Sequence, residues 1–332
     1  MEKLVEVTRG PLVESVHRGS IAVVDSDGDL LAWAGDPEAV TYYRSSAKPI
    51  QALPVLTSGA AQKFGLTQKE LALMCASHSG EVEHVEAVSG ILEKLGLSEE
   101  YLLCGIHPPM YTQSAVEIWR LGKQPSPVHC NCSGKHSGML ALCRHYDWSL
   151  DNYLEFSHPL QQMLLTTIKD FNSYEDVVIG VDGCGVPVYG MPVKVMAKGY
   201  ARLVNNKVPP TETAAAAKQI VEAMTKYPKL VAGTERLDTV LMDALGHKIV
   251  TKSGAEGVQC IGLLDRGIGI AIKIEDGNGR AIEPVTMEVL RQMGVLNADE
   301  LKALAHLHHV QIKNHRKETI GELMPVFKLK TK

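Results

Sequence analysis

Short β-rich runs lie at the two ends of the chain, and helical periodicity fills the stretch between them. Ser20–Asp25 and Leu30–Ala34 flank the turn cluster Ser26-Asp27-Gly28-Asp29, which predicts a hairpin. From Ser45 to about Tyr227 apolar residues recur at three- and four-residue steps. Thr67-Gln68-Lys69-Glu70 ahead of Leu71 is a capping box, and Val82, Val85, Val88, Ile91, Leu92 and Leu95 form one apolar stripe. Helices are also predicted over Gly138–Tyr146, Leu160–Phe171, Val193–Leu203 and Thr211–Lys226. Strands return at His247–Thr251, Val258–Leu264 and Ile268–Ile274, the last two forming a hairpin turned at Asp265-Arg266-Gly267, followed by helices at Pro284–Met293 and Ala298–Leu307 and a strand-like tail. Strands at both ends with helices inserted predict an α+β fold whose antiparallel sheet is assembled from the two termini. The chain reads as a single catalytic unit over 1–332, with 1–44 and 230–332 forming the sheet part and 45–229 mainly helical.

Composition narrows the function. The chain has 332 residues, 45% hydrophobic and 22% charged, enough to bury a sizeable core, so disorder is excluded over most of its length. A net charge of −4 and 5% aromatics offer neither a basic footprint for nucleic acid nor a polybasic membrane patch. Charges are spread through Met1–Ser20 and no apolar run is long enough to span a bilayer, which points to a cytoplasmic protein. Seven cysteines, scattered and odd in number, fit a reducing compartment and metal-binding or catalytic use better than a disulfide scaffold.

Several stretches carry groups suited to chemistry. In Arg44-Ser45-Ser46-Ala47-Lys48-Pro49, Pro49 fits the first turn of a helix, which puts Ser45 near its N-terminal edge and Lys48 one turn on. A serine hydroxyl is a weak nucleophile until a base takes its proton, and a lysine does so only when its amine is uncharged, a state favoured by burial or a second cation. The bland alternative is Ser45 or Ser46 as a plain N-cap. Cys75-Ala76-Ser77-His78-Ser79-Gly80-Glu81 joins two helices, with Ser77 as a cap or a site residue and His78 as an ordinary satisfied polar group or a site residue. His129-Cys130-Asn131-Cys132-Ser133-Gly134-Lys135-His136 holds two cysteines, two histidines and a lysine in eight residues, but no Cys-x-x-Cys pair. It is not a phosphate loop either, since His129 stands where the first glycine belongs. Asp182-Gly183-Cys184-Gly185-Val186-Pro187 adds a distant thiol. A metal held by thiolates from both segments and a pair of buried structural cysteines both remain open. Lys252-Ser253-Gly254-Ala255-Glu256-Gly257 places a lysine on a strand edge; Lys273, alternating as a solvent-facing residue would, is its rival.

Taken together and in this order, these motifs resemble those of the Rhizobium etli type of L-asparaginase, the third asparaginase class, over nearly the whole chain. The resemblance implies a fold like serine β-lactamases, penicillin-binding proteins and glutaminases. It also implies hydrolysis of L-asparagine to aspartate and ammonia by two Ser-Lys pairs, Ser45 with Lys48 and Ser77 with Lys252. It further implies a zinc ion held by Cys132, Lys135 and Cys184, tuning the site or orienting substrate. Arg44, His78 and Asp182 would lie beside the substrate, and the protein would be a homodimer. Cys130 departs from the family pattern, standing where a polar amide is expected.

Rival readings remain. Ser45 to Lys48 and Lys252-Ser253-Gly254 match two of three motifs of penicillin-recognising acylases and β-lactamases, but no Ser-Asp-Asn tripeptide occurs. A glutaminase differs by one methylene of substrate, which a pocket distinguishes by only about 1–3 kcal/mol. In a non-catalytic zinc or thiol sensor, Cys130, Cys132, Lys135 and Cys184 would be the function, and no ammonia would be released from asparagine.

Overall fold

Antiparallel pairing of the two chain ends builds the first of two compact units, made of Met1–Ser46, Met191–Arg202 and Thr251–Lys332. The computed structural model describes residues 1–205 and 211–332. Strand Glu2–Arg9 pairs on one side with Leu12–Val24 and on the other with Thr319–Pro325. Leu12–Val24 also pairs with Leu30–Ala34 and with Ile268–Ile274, which in turn pairs with Val258–Leu263. Among the described residues this sheet has nine strands, its main path running from Val310–Lys313 to Ile249–Gly254. The α+β architecture with a sheet drawn from both termini is therefore present.

Burial explains why the central strands read as continuous apolar runs. All six residues of Val258–Leu263 are buried, and the register sets Ile21 opposite Ile272 and Val23 opposite Ile270. A strand covered on both faces has no polar side to alternate with. Each such aliphatic side chain contributes about 1.5–3 kcal/mol when fully buried. Helix Ile282–Gln292, with eight buried residues, packs on this sheet. The hairpin predicted at Asp265-Arg266-Gly267 is present, with Leu263 opposite Ile268. The predicted Ala298–Leu307 helix is two short ones, Ala298–Ala303 and Ala305–His308, broken at Leu304.

The second unit comprises Ala47–Gly190 and Leu203–Val250 and is mainly helical. Its capping box at Thr67 and Glu70 forms as the sequence predicts. Helix Ser133–Tyr146 begins five residues before its predicted start at Gly138 because its polar first turns are internal. Ser133 to Cys143 are all buried; the Ser133 hydroxyl donates to Val128 O and that of Ser137 to Ser133 O. A helix buried on every side shows no amphipathic stripe, so periodicity alone could not place its start. Segment Met191–Arg202 belongs to the first unit, where Tyr43 donates from its hydroxyl to Met196 O at 2.9 Å. Among the described residues no helix is long and apolar enough to cross a membrane.

Candidate active site

In the second unit Lys48 opens the short helix Lys48–Gln51, with Pro49 in its first turn. The N-cap is Ala47 and no side chain caps this helix, so the capping reading of Ser45 and Ser46 does not hold. Lys48 is 1% exposed. Its Nζ lies 2.5 Å from Ala76 O, 3.0 Å from Ser77 Oγ and 3.3 Å from Cys132 Sγ. A buried lysine thus sits on a serine hydroxyl and a thiol.

Ser77 follows helix Gln68–Met74 and is fixed through its backbone N–H to Val231 O. It is not a cap, since the next helix, Val82–Leu95, has Glu81 at its N-cap. His78 is fully buried: Gly80 N–H donates to its Nδ1, and its Nε2 lies 2.8 Å from Ser133 Oγ. Burial, with His84 and Lys48 nearby, holds its pKa well below the ordinary histidine range. The Glu81 carboxylate accepts from Thr234 N at 2.7 Å and from Thr234 Oγ1 at 2.6 Å. Burial works to raise this carboxyl, but the two Thr234 bonds, His84 and Lys229 outweigh it and hold it below the usual range. Glu81 thereby clamps the loop at Gly233 and Thr234 to the segment that carries Ser77.

Cys132 and Cys184 converge from distant segments. Cys132 is the N-cap residue of the Ser133–Tyr146 helix, and Cys184 sits in the turn between strands Val178–Val181 and Pro187–Pro192. Asp182 shapes that turn, accepting from Gly185 N–H with its carbonyl and from Gly183 N–H with its carboxylate. Hydrogen bonds from Cys130 and Cys184, with Lys48 and Lys135 nearby, hold the Cys132 thiol well below its ordinary range against the effect of burial. A helix N-terminus favours the thiolate as well. Cys130, hydrogen-bonded to Cys104 and Cys132, is pushed up, and so is Cys184 by its bond to Cys132. Lys135 Nζ lies 3.0 Å from Cys184 Sγ. Burial opposes a charge on Lys135, but the Cys184 and Cys132 sulfurs outweigh it and raise its pKa. Among the described residues no three histidine, cysteine or carboxylate side chains are grouped to hold a metal. Two sulfurs and one amine do converge here, a donor set that suits a borderline-soft ion such as zinc.

The first unit holds the remaining candidates. Ser45, half-buried, lies in the 3-10 turn Arg44–Ala47, and Arg44 before it has a left-handed φ of 51°. Non-glycine residues in that region cost energy and cluster at functional sites. Lys252 is fully buried on strand Ile249–Gly254, its Nζ donating to Ser253 O at 2.7 Å. Its rival Lys273 is half-buried and donates to Glu256 O, and burial, with Arg44 nearby, lowers its pKa. The division between units falls between Ser46 and Ala47, inside the first motif.

The structure brings Lys48, Ser77, Cys132, Lys135 and Cys184 together in one unit, with Asp182 shaping the turn that holds Cys184. Sequence reasoning did not single out Cys104 or the Thr234 partner of Glu81. An isolated cysteine and a Gly-Thr pair in a loop carry no periodic or spacing signal.

Comparison with known proteins adds a family. No curated protein matches the chain in sequence. Solved structures similar to it include Mglu in its native form, at 15% identity and a TM-score of 0.43, covering 86% of this chain and 66% of that one. A β-lactamase (Mb2281c) from Mycobacterium bovis has 12% identity and a TM-score of 0.41, covering 82% and 94%. A Bacillus glutaminase has 14% identity and a TM-score of 0.37, covering 83% and 91%. The chain thus spans just under two thirds of Mglu, and likeness at these values says nothing about chemistry. The L-asparaginase II family model, in contrast, matches residues 5–325, a span that takes in every motif from Arg44 to Gly257; the chain belongs to the L-asparaginase II family.

Proposed function

We propose that the protein is an amidohydrolase that converts L-asparagine to L-aspartate and ammonia through an acyl-enzyme on Ser45. The observation that carries this reading is the buried Lys48 amine 3.0 Å from the Ser77 hydroxyl, three residues along from Ser45 in a chain of this family. A lysine held on a serine hydroxyl away from water is the arrangement that moves a proton between oxygen and nitrogen.

In the proposed reaction Ser45 Oγ attacks the side-chain amide carbon while its proton passes to Lys48. The carbon–nitrogen bond then breaks, and a proton relayed through Ser77 and Lys252 leaves with the nitrogen as ammonia. Water, deprotonated by the same relay, adds to the ester; the carbon–oxygen bond to Ser45 breaks and L-aspartate departs. Two easier acyl transfers replace one hard amide hydrolysis. Arg44, His78 and Asp182 orient the substrate, the guanidinium suiting its α-carboxylate. Cys132, Cys184 and Lys135 would hold zinc, which when bound would supply a fixed positive charge that favours the substrate's α-carboxylate.

The test is trapping. The enzyme is incubated with asparagine and hydroxylamine, and hydroxamate is measured for wild type and Ser45→Ala. Loss in the variant supports the acyl-enzyme on Ser45; unchanged formation moves the nucleophile elsewhere, Ser77 first. The same assay with glutamine measures how strictly the shorter amide is preferred.

A further inference from the structure

The turn that carries Ser45 is framed by side chains outside the two Ser-Lys pairs, all within the first unit. Every polar group of Ser46 is engaged. Its N–H donates to Tyr43 O at 3.2 Å, its hydroxyl donates to Lys252 O at 2.8 Å, and its carbonyl accepts from the Tyr200 hydroxyl at 2.9 Å. Ser46, Tyr43 and Tyr200 are all fully buried. With its proton given to a backbone carbonyl, Ser46 is not a nucleophile.

These bonds close a ring around Ser45. Tyr43 OH donates to Met196 O, and Tyr200 lies one turn further along the same helix, so residues on both sides of Ser45 are tied to one helical turn. The third tie runs to the strand that bears Lys252. That strand lies so close that a Cβ at Gly254 would stand 3.1 Å from both Ser46 Oγ and Tyr43 O. The left-handed Arg44 explains the need for a frame, because a strained residue persists only where its surroundings over-determine it.

We propose that Ser46 and Tyr200 are positioning residues for the Ser45 nucleophile. Ser46 sets the turn against the Lys252 strand, and Tyr200 holds its carbonyl. This rests on the reading that Ser45 is acylated.

The test uses the full chain and a fluorophosphonate, which labels an activated serine whatever the natural substrate. The labelled residue is located by mass spectrometry, and the maximal labelling rate and half-saturating concentration are measured with the thermal midpoint. Tyr200→Phe keeps the ring and removes the hydrogen bond to Ser46 O; Ser46→Ala removes the one to Lys252 O. Both variants are expected to label Ser45 about 10- to 100-fold more slowly at saturation, the size of effect a small misplacement produces, with the half-saturating concentration unchanged. Wild-type labelling rates in the folded variants, even with a lowered midpoint, would overturn the proposal. If Ser46→Ala does not fold, Tyr200→Phe alone decides. No label on Ser45 in the wild type would instead overturn the acyl-enzyme reading and this inference with it.

Discussion

Lys48 Nζ lies 3.0 Å from Ser77 Oγ and 3.3 Å from Cys132 Sγ, so one buried amine joins the second serine to the thiol cluster. The family resemblance pairs Lys48 with Ser45 and Ser77 with Lys252; within the second unit the bond from Lys48 gives Ser77 a lysine partner of its own. Lys48→Met would keep the volume and remove the nitrogen. It is expected to lower kcat for ammonia release by about 10²- to 10⁴-fold, the usual share of acid–base catalysis. It would also leave Ala76 O and Ser77 Oγ short of a partner, costing about 1–3 kcal/mol. Ammonia release and urea unfolding check the two expectations separately, and a variant with wild-type kcat would remove Lys48 from the chemistry.

Gly233 is the point where the clamped loop meets the Ser77 segment. Its φ is 125°, and an added Cβ would stand 2.5 Å from Ser79 Oγ and 2.6 Å from Glu81 Oε1. Gly233→Ala therefore combines backbone strain with overpacking and is expected to destabilise by about 3 kcal/mol. Because the Glu81–Thr234 clamp holds the Ser77 segment, the same variant should lose activity even where it is fully folded. Equilibrium unfolding with activity measured below the transition tests both, and an unchanged midpoint would contradict the close approach.

The legible parts of the sequence were those with a local signal. The hairpin ending at Ile274 and the Thr67 capping box depend on residues a few positions apart, and both form as predicted. The pairing of Glu2–Arg9 with Thr319–Pro325 joins strands more than 300 residues apart, and only the clustering of strands at both ends hinted at it. The start of the Ser133 helix was hidden because serines, a lysine and a histidine stand on a fully internal face, where hydrogen bonds replace apolar periodicity. Each motif was visible as a string of residue types. Which side chains touch within it was not: Ser46 reads like Ser45, yet its hydroxyl is given to Lys252 O.

The proposed zinc ligands make a prediction with an internal control. The wild type is expected to purify with zinc, and Cys184→Ala, which removes one of the two sulfurs beside Lys135, should lose most of it. Cys130→Ser leaves Cys132, Cys184 and Lys135 in place and should retain it. Metal content by atomic emission, read beside the thermal midpoint with and without chelator, checks this. Equal loss in both variants would place Cys130 in the ligand set; full retention in Cys184→Ala would remove Cys184 from it.

Three buried histidines give stability a pH dependence of definite sign. Burial, helped by His84 and Lys48, lowers the pKa of His78; burial lowers that of His84; and burial, helped by Lys135, lowers that of His136. An unfolded histidine titrates near 6.5. Above that value neither state binds the proton, and the histidines add no slope. Below it the unfolded chain takes up protons that the folded chain refuses, so stability is lost as pH falls, by about 1.4 kcal/mol per pH unit for each such histidine until its folded pKa is reached. Protonation of His78 would also remove the Nδ1 lone pair that accepts Gly80 N–H. Urea unfolding at pH 8, 6.5 and 5.5 should show a flat upper limb and a steep lower one. In His136→Gln the lower limb should be shallower by one histidine's share, whatever the variant does to stability at pH 8. A wild-type profile level down to pH 5.5 would mean that these rings are protonated in the folded protein.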